Sequence, residues 1–261
     1  MFKQFTTGAI HFFSAFGFVF SNRLAKYYLY PVIAAMILYF GLFSTLILYA
    51  QDFVKLLLGN YMPEHLPEMK GIGSIGTFIA NLSLYGLAAV LFSIIVVLLA
   101  GKFSKYILLI LLSPVFALLS EAVEEKLSGK AYPFVLHEFI SDILRGIILA
   151  LRNLFIELSW LILIGVIGLF VPALGIILTP IGVIISAYFY GFSMIDYINE
   201  RRRMTISESV NKIRTIKWFA IGNGLMYWIF DSIPVIGWII APVNAVTGAC
   251  TGLNELESQK S

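Results

Sequence analysis

The sequence predicts an all-α integral membrane protein with two long transmembrane helices, two half-penetrating helical hairpins tipped by proline and glycine, and cytoplasmic helical extensions. Three observations predict it. Of 261 residues, 59% are hydrophobic and 13% charged, with a mean hydropathy of +0.90, whereas soluble domains carry charge on about a quarter of their residues. A nine-residue pattern, Pro-x-x-Gly-x-Ile-x-x-Pro, occurs twice, at 172–180 (PALGIILTP) and 234–242 (PVIGWIIAP), each time in a stretch nearly free of charge. Lysine and arginine gather in separate stretches, as the positive-inside rule demands of cytoplasmic segments. The competing reading, a soluble protein with kinked core helices, is opposed by the composition.

In chain order, residues 1–20 place Phe5, Ile10, Phe12, Phe13 and Phe16 among Gly8, Ser14 and Gly17, a short aromatic helix suited to lying at the membrane interface. Ser21 and Asn22 offer N-cap oxygens for a following helix. Residues 27–51 hold no charge over 25 positions and end in tyrosines on both sides, enough for a full crossing. The segment 52–70 carries six ionisable residues and two prolines and reads as a polar connection. Residues 71–101 form a second uncharged run, of 31 residues, and a second spanning helix. Lys102 and Lys105 stop it. The apolar run 106–120 continues a long helix or forms a buried packing surface. Residues 121–157 mix acids and bases at helical spacing, with Glu121 and Glu125 or Asp142 and Arg145 one turn apart, and read as an aqueous helical region.

The two proline patterns then define hairpins at 158–195 and 218–252. The apolar runs that precede them, 158–171 and 218–233, are 14 and 16 residues, whereas one helical crossing takes about 20. They are expected to be too short to cross alone. Pro172 and Pro234 lack an amide donor, and Gly175 and Gly237 are expected to permit the reversal of backbone. Pro180 and Pro242 close the two tips. Irregular backbone at membrane depth must be covered by protein or water, so the tips are expected to cover each other or to line a polar path. Re-entrance also places residues 1–26, 102–157 and 196–217 on one side, with 3, 6 and 6 basic residues, and 52–70 on the other with two. The whole chain reads as a single membrane domain, 1–261.

Other classes are disfavoured. One cysteine, Cys250, precludes an internal disulfide or a dithiol motif. The N-terminus has no small-residue cleavage site. A net charge of +3 is accounted for by topology, so no nucleic-acid partner is expected. Glu121, Glu124 and Glu125 have no histidine at ligand spacing and read as a solvated face, and no metal or cofactor is expected. No nucleophile motif accompanies His11, His65 or His137, so no enzyme site is visible.

Four stretches, LSPVFALLSEAVEEKLSG (112–129), VPALGIILTP (171–180), DYINERRRMTISE (196–208) and IPVIGWIIAPVNAVTGA (233–249), resemble the CysZ sulfate permease family and the wider group of etoposide-induced membrane proteins. The resemblance implies a helical bacterial inner-membrane protein with two spanning helices and two half-penetrating hairpins, a homo-oligomer that admits sulfate for sulfur assimilation. It also implies an anion site ahead of the first spanning helix, at a Gly-Ile/Leu-Arg-Arg stretch. Aligned on Pro31, that stretch here reads Arg23, Leu24, Ala25, Lys26, preceded by Ser21 and Asn22. Charge is kept while the bidentate arginine geometry is weakened. Arg23 and Lys26 serve either as anion contacts or as ordinary positive-inside anchors.

Single residues carry further readings. Asp231 is the sole ionisable group between Trp218 and Asn254 and either caps the second tip or lines a water path. Asn223 and Asn244 suit interhelical hydrogen bonds. Arg201, Arg202 and Arg203 form a cytoplasmic basic rim that draws anions, binds lipid headgroups, or marks topology alone. The function expected from all of this is a permease or channel for a small inorganic oxyanion, sulfate first. The alternatives are a non-transporting membrane scaffold and a permease for another solute.

Overall fold

The computed structural model describes residues 1–37, 40, 106–129, 136–233 and 236–259. The chain divides into two compact units, Met1–Ala35 with Tyr106–Ser261, and Met36–Lys105. Nearly all of the second unit, with most of the expected span 27–51 and all of 71–101, lies outside the described residues. Among the described residues the helices are α1 (Phe2–Ser21), the 3-10 turn η1 (Ala25–Tyr28), α2 (Leu29–Ile37), α3 (Tyr106–Ser128), α4 (Leu136–Phe170), α5 (Pro172–Arg201), α6 (Ile206–Thr215), α7 (Lys217–Asp231) and α8 (Ile236–Ser258). No strand occurs among the described residues. The all-α membrane class follows, because α3, α5, α8 and the Ile143–Phe170 part of α4 are each long and apolar enough to cross a bilayer.

Helical periodicity explains which faces are buried. Gly8, Phe12, Ala15 and Val19 form one stripe of α1 and are buried, while Phe2, Ile10, Phe13 and Phe20 on other faces are exposed. In α3 the stripe is Leu109, Leu112, Phe116, Leu119 and Val123. Glycine brings the backbones together where the helices cross. A Cβ on Gly8 would strike the Phe219 carbonyl and one on Gly222 the Phe5 carbonyl, so α1 and α7 touch backbone to backbone. Gly191 against Ala220 and Gly224 against Ala187 do the same for α5 and α7. Lipid tails offer no hydrophobic drive for helix association, and close small-residue contacts supply the van der Waals attraction in its place.

The first hairpin is an antiparallel helix pair. Arg145 meets Asp196, Glu157 meets Ser186, Leu161 and Ile164 meet Gly182, and Gly168 meets Gly175. Three expectations are corrected here. Residue 157 is not a boundary: α4 runs unbroken for 35 residues, and its apolar part, Ile143–Phe170, is 28 residues long. At about 1.5 Å per residue that part reaches about 42 Å, so the run is no longer too short to cross. The reversal takes place at Val171 (φ −135°, ψ 85°), and Pro172 opens α5 at its first turn, where its missing amide does no harm. Gly175 is helical, and its function is approach: a Cβ there would lie 2.9 Å from the Gly168 Cα. Pro180 and Pro242 sit inside α5 and α8.

The first tip is also not covered by the rest of its unit. Leu169 and Phe170 are 77% and 79% exposed. At the turn Val171 N–H donates to Ile167 O (2.8 Å), and the Leu174 and Gly175 amides donate to Val171 O (2.9 and 3.2 Å), which leaves fewer backbone groups to be covered at membrane depth.

The second hairpin, α7 with α8, lies inside the unit. Asn223 meets Ala245 and Gly237 packs against the Phe230 carbonyl, again an antiparallel pair. Gly237 thus plays the same close-approach part as Gly175, while Pro234 lies outside the described residues. Helix α8 runs past the expected bound at 252 to Ser258, and along this last part His11 of α1 bridges Thr251 Oγ1 (2.8 Å) and Glu255 Oε2 (2.7 Å). Cys250 is buried in this helix.

Candidate functional site

The elbow between α1 and η1 holds Ser21, Asn22, Arg23 and Lys26. Ser21 and Asn22 do not cap a new helix: both finish α1, and the Ser21 Oγ and Asn22 Nδ2 groups donate back to Phe18 O (3.2 and 2.9 Å). Leu24 N–H donates to Val19 O (2.9 Å) and Arg23 N–H to Phe20 O (3.3 Å), the paired bonds of a Schellman ending. Arg23 therefore occupies the position that glycine favours, and it is left-handed, at φ 60°. The η1 turn that follows has Leu24, without a side-chain oxygen, as its N-cap. Arg23 and Lys26 are both exposed. Lys26 Nζ lies 5.5 Å from the Tyr27 ring centre, and among the described residues neither cation makes an ion pair.

The same ending recurs after α5. Met204 N–H donates to Asn199 O (3.1 Å), Arg203 N–H donates to Glu200 O (2.9 Å), and Arg203 is left-handed at φ 58°. The two arginines before it make ion pairs. Arg201 pairs with Glu121 (3.2 Å) and bonds Ala117 O and Ser120 Oγ of α3. Arg202 shares Glu257 with Lys212. Arg201 and Arg202 thus hold the α5–α6 corner against α3 and α8. The corner is finished by a capping box, with Thr205 Oγ1 accepting from Glu208 N–H (3.3 Å) and the Glu208 carboxylate accepting from Thr205 N–H (2.7 Å).

Within the apolar region, Asn244 is fully buried, accepts from Tyr28 O–H (2.6 Å) and donates to Phe12 O (3.3 Å), tying α8 to η1 and α1. Asn223 donates to Ala245 O (3.2 Å). Asp231, at the end of α7, accepts from Tyr190 O–H (3.2 Å), and that tyrosine stacks on Tyr227.

Sequence reasoning missed the polar interior of the first hairpin. Glu157 is 1% exposed, with Tyr106 O–H (2.6 Å) and Ser186 Oγ (2.8 Å) donating to its two oxygens. Nearer the corner, Arg145 pairs with Asp196 (2.9 Å) and reaches the Met204 carbonyl, while Ser209 Oγ also donates to Asp196. The available signal was spacing: Arg145 and Arg152 are seven residues apart, and Asn153 and Glu157 four, so both pairs repeat on the helical period.

Long apolar helices, an exposed apolar hairpin and buried polar groups matched to one another define an integral membrane protein of the all-α class. More particularly, the chain belongs to the family described as Sulfate transporter CysZ/Etoposide-induced protein 2.4, whose model matches residues 11–242. It is similar to the sulfate transporter CysZ of Vibrio cholerae serotype O1, with 25% identity over 211 residues, 77% of this chain and 81% of that one. The sulfate transporter CysZ of Vibrio atlanticus is 28% identical over 186 residues, 68% and 70% of the two chains. That of Pseudomonas paraeruginosa is 27% identical over 142 residues, and there the match spans 57% of the relative's length.

Proposed function

We propose that this chain is a bacterial inner-membrane permease or channel for a small inorganic oxyanion, sulfate first, feeding sulfur assimilation and working as a homo-oligomer in lipid. The observation that carries the reading is Arg23. An L-residue in the left-handed region pays roughly 1–2 kcal/mol that glycine does not, and such strain is kept where the side chain is wanted. Here it holds an exposed guanidinium three residues from an exposed ammonium at the start of the η1–α2 run. Two such donors at a helix entry lower the cost of stripping water from an anion. The names of the relatives point to the same solute, and no nucleotide or cofactor enters the scheme.

The first hairpin enters the bilayer apolar tip first, with Arg145 and the α5–α6 corner left on the side of entry. Both proline tips narrow the route that the anion takes.

Radiolabelled sulfate uptake into proteoliposomes tests the proposal. Uptake above empty vesicles that falls on Arg23→Ala with Lys26→Ala supports it. Uptake equal to empty vesicles removes it and leaves the non-transporting scaffold. Competition by selenate, phosphate or organic acids separates sulfate from another solute.

A further inference from the structure

Arg152 lies within Ile143–Phe170, the apolar part of α4, yet among the described residues it makes no ion pair. A guanidinium carries five donors. One N–H of Arg152 goes to Asn153 Oδ1 (3.0 Å), and the group sits 5.8 Å from the centre of the buried Phe192 ring. Asn153 is fully buried, and among the described residues nothing accepts from its Nδ2. Turning the amide over is no remedy, since it would set two donors face to face. The carboxylate one turn further along, Glu157, is already taken by Tyr106 and Ser186.

The Tyr188 ring packs against the same Phe192, with centres 6.0 Å apart, and Arg152 and Tyr188 are both half-buried. The donors lie about 10 Å along α4 from the Arg145–Asp196 pair. A charged group inside an apolar stretch is retained only with a partner or a task.

We propose that Arg152 and Asn153 form a binding station for a tetrahedral oxyanion, separate from the elbow at Arg23 and Lys26. The guanidinium fork takes two oxygens of the ligand and Asn153 Nδ2 a third, which removes the one unmet donor beside it. Free sulfate or phosphate and the phosphodiester of a lipid headgroup share this chemistry. The station does not depend on whether the chain transports anything.

The test uses the purified full chain in neutral detergent, with radiolabelled sulfate binding measured directly and inorganic phosphate and dihexanoyl phosphatidylglycerol as competitors. Measured in the Arg23→Ala, Lys26→Ala background, Arg152→Gln is expected to weaken binding at least tenfold. Arg23→Ala with Lys26→Ala is expected to leave saturable binding at this station. Asn153→Asp gives Arg152 an internal counter-charge, which favours folding, and it too is expected to abolish binding; it decides the matter should Arg152→Gln not fold. Displacement by phosphatidylglycerol alone, lost in the same variants, assigns the station to lipid. Binding that is absent in the wild-type chain for all three probes, or unchanged in Arg152→Gln and Asn153→Asp, overturns the proposal. Loss of sulfate uptake with this binding intact sinks the transport reading and leaves the station standing.

Discussion

Replacing Arg23 by glycine separates strain from function at one residue. The φ of 60° places Arg23 in the left-handed well, where an L-residue costs roughly 1–2 kcal/mol. Glycine relieves that strain but gives the unfolded chain more freedom, which takes back about 0.4–1 kcal/mol. The net gain is about 0.5–1 kcal/mol, worth about 1–4 °C in unfolding temperature for a unit of this size. No ion pair is lost, and the paired bonds from Leu24 to Val19 and from residue 23 to Phe20 are backbone and survive. Thermal unfolding in detergent, followed by helical circular dichroism, measures the gain; sulfate binding on the same samples measures what is given up. Arg23→Ala is the partner experiment: it removes the charge and keeps the strain, so it should lose the elbow's share of the binding, and not that at the Arg152 station, with no gain in stability. If the glycine variant unfolds at or below the temperature of the alanine variant, the argument from the left-handed arginine is wrong.

Four further outcomes follow from the packing. Gly224→Ala drives a Cβ into the Ala187 carbonyl and should destabilise by about 1–3 kcal/mol, whereas Gly17→Ala, with open space beside it, should stabilise α1 by about 0.5–1 kcal/mol; chemical unfolding of both variants checks the contrast. Glu157→Ala takes the acceptor away from Tyr106 and Ser186 and should cost about 1–3 kcal/mol, with Glu157→Gln recovering part of it in the same assay. An introduced cysteine at Phe170, read against the unreactive buried Cys250, should resist impermeant reagents from both sides if the tip stops within the lipid, and should label from the far side if α4 crosses fully. The backbone N–H and hydroxyl of Thr205 hold the Glu208 carboxyl below its ordinary value of 4.5, so the capping box contributes its full stability above that value and loses it as pH falls through the lowered one; hydrogen exchange at 205–209 should speed up on acidification and stay flat near neutrality.

Much of this fold is legible in the chain before any coordinates. Composition announces the membrane, and the stripe spacing of α1 and α3 marks their buried faces. The repeated nonapeptide locates both turns to within a residue or two of Val171 and of the start of α8. Its glycines were assigned the wrong task, because a helical glycine chosen for close approach and one chosen for reversal look identical until the facing backbone is known. At the elbow the sequence offers the four residues as candidates only, while the Schellman ending at Arg23 requires φ.

The sequence by itself determined the class, the helical content and the position of the turns, since each depends on local hydropathy and local backbone preference. Only the tertiary structure decided which charges belong inside. Hydropathy charges Arg152 and Glu157 the cost of a lone ion, and so ended the apolar run at 157. In the folded chain Glu157 is met by Tyr106 and Ser186, 51 and 29 residues away, and Arg201 by Glu121 from another helix. A buried charge is tolerated or rejected according to its partners, and antiparallel register, which no window of sequence contains, selects them.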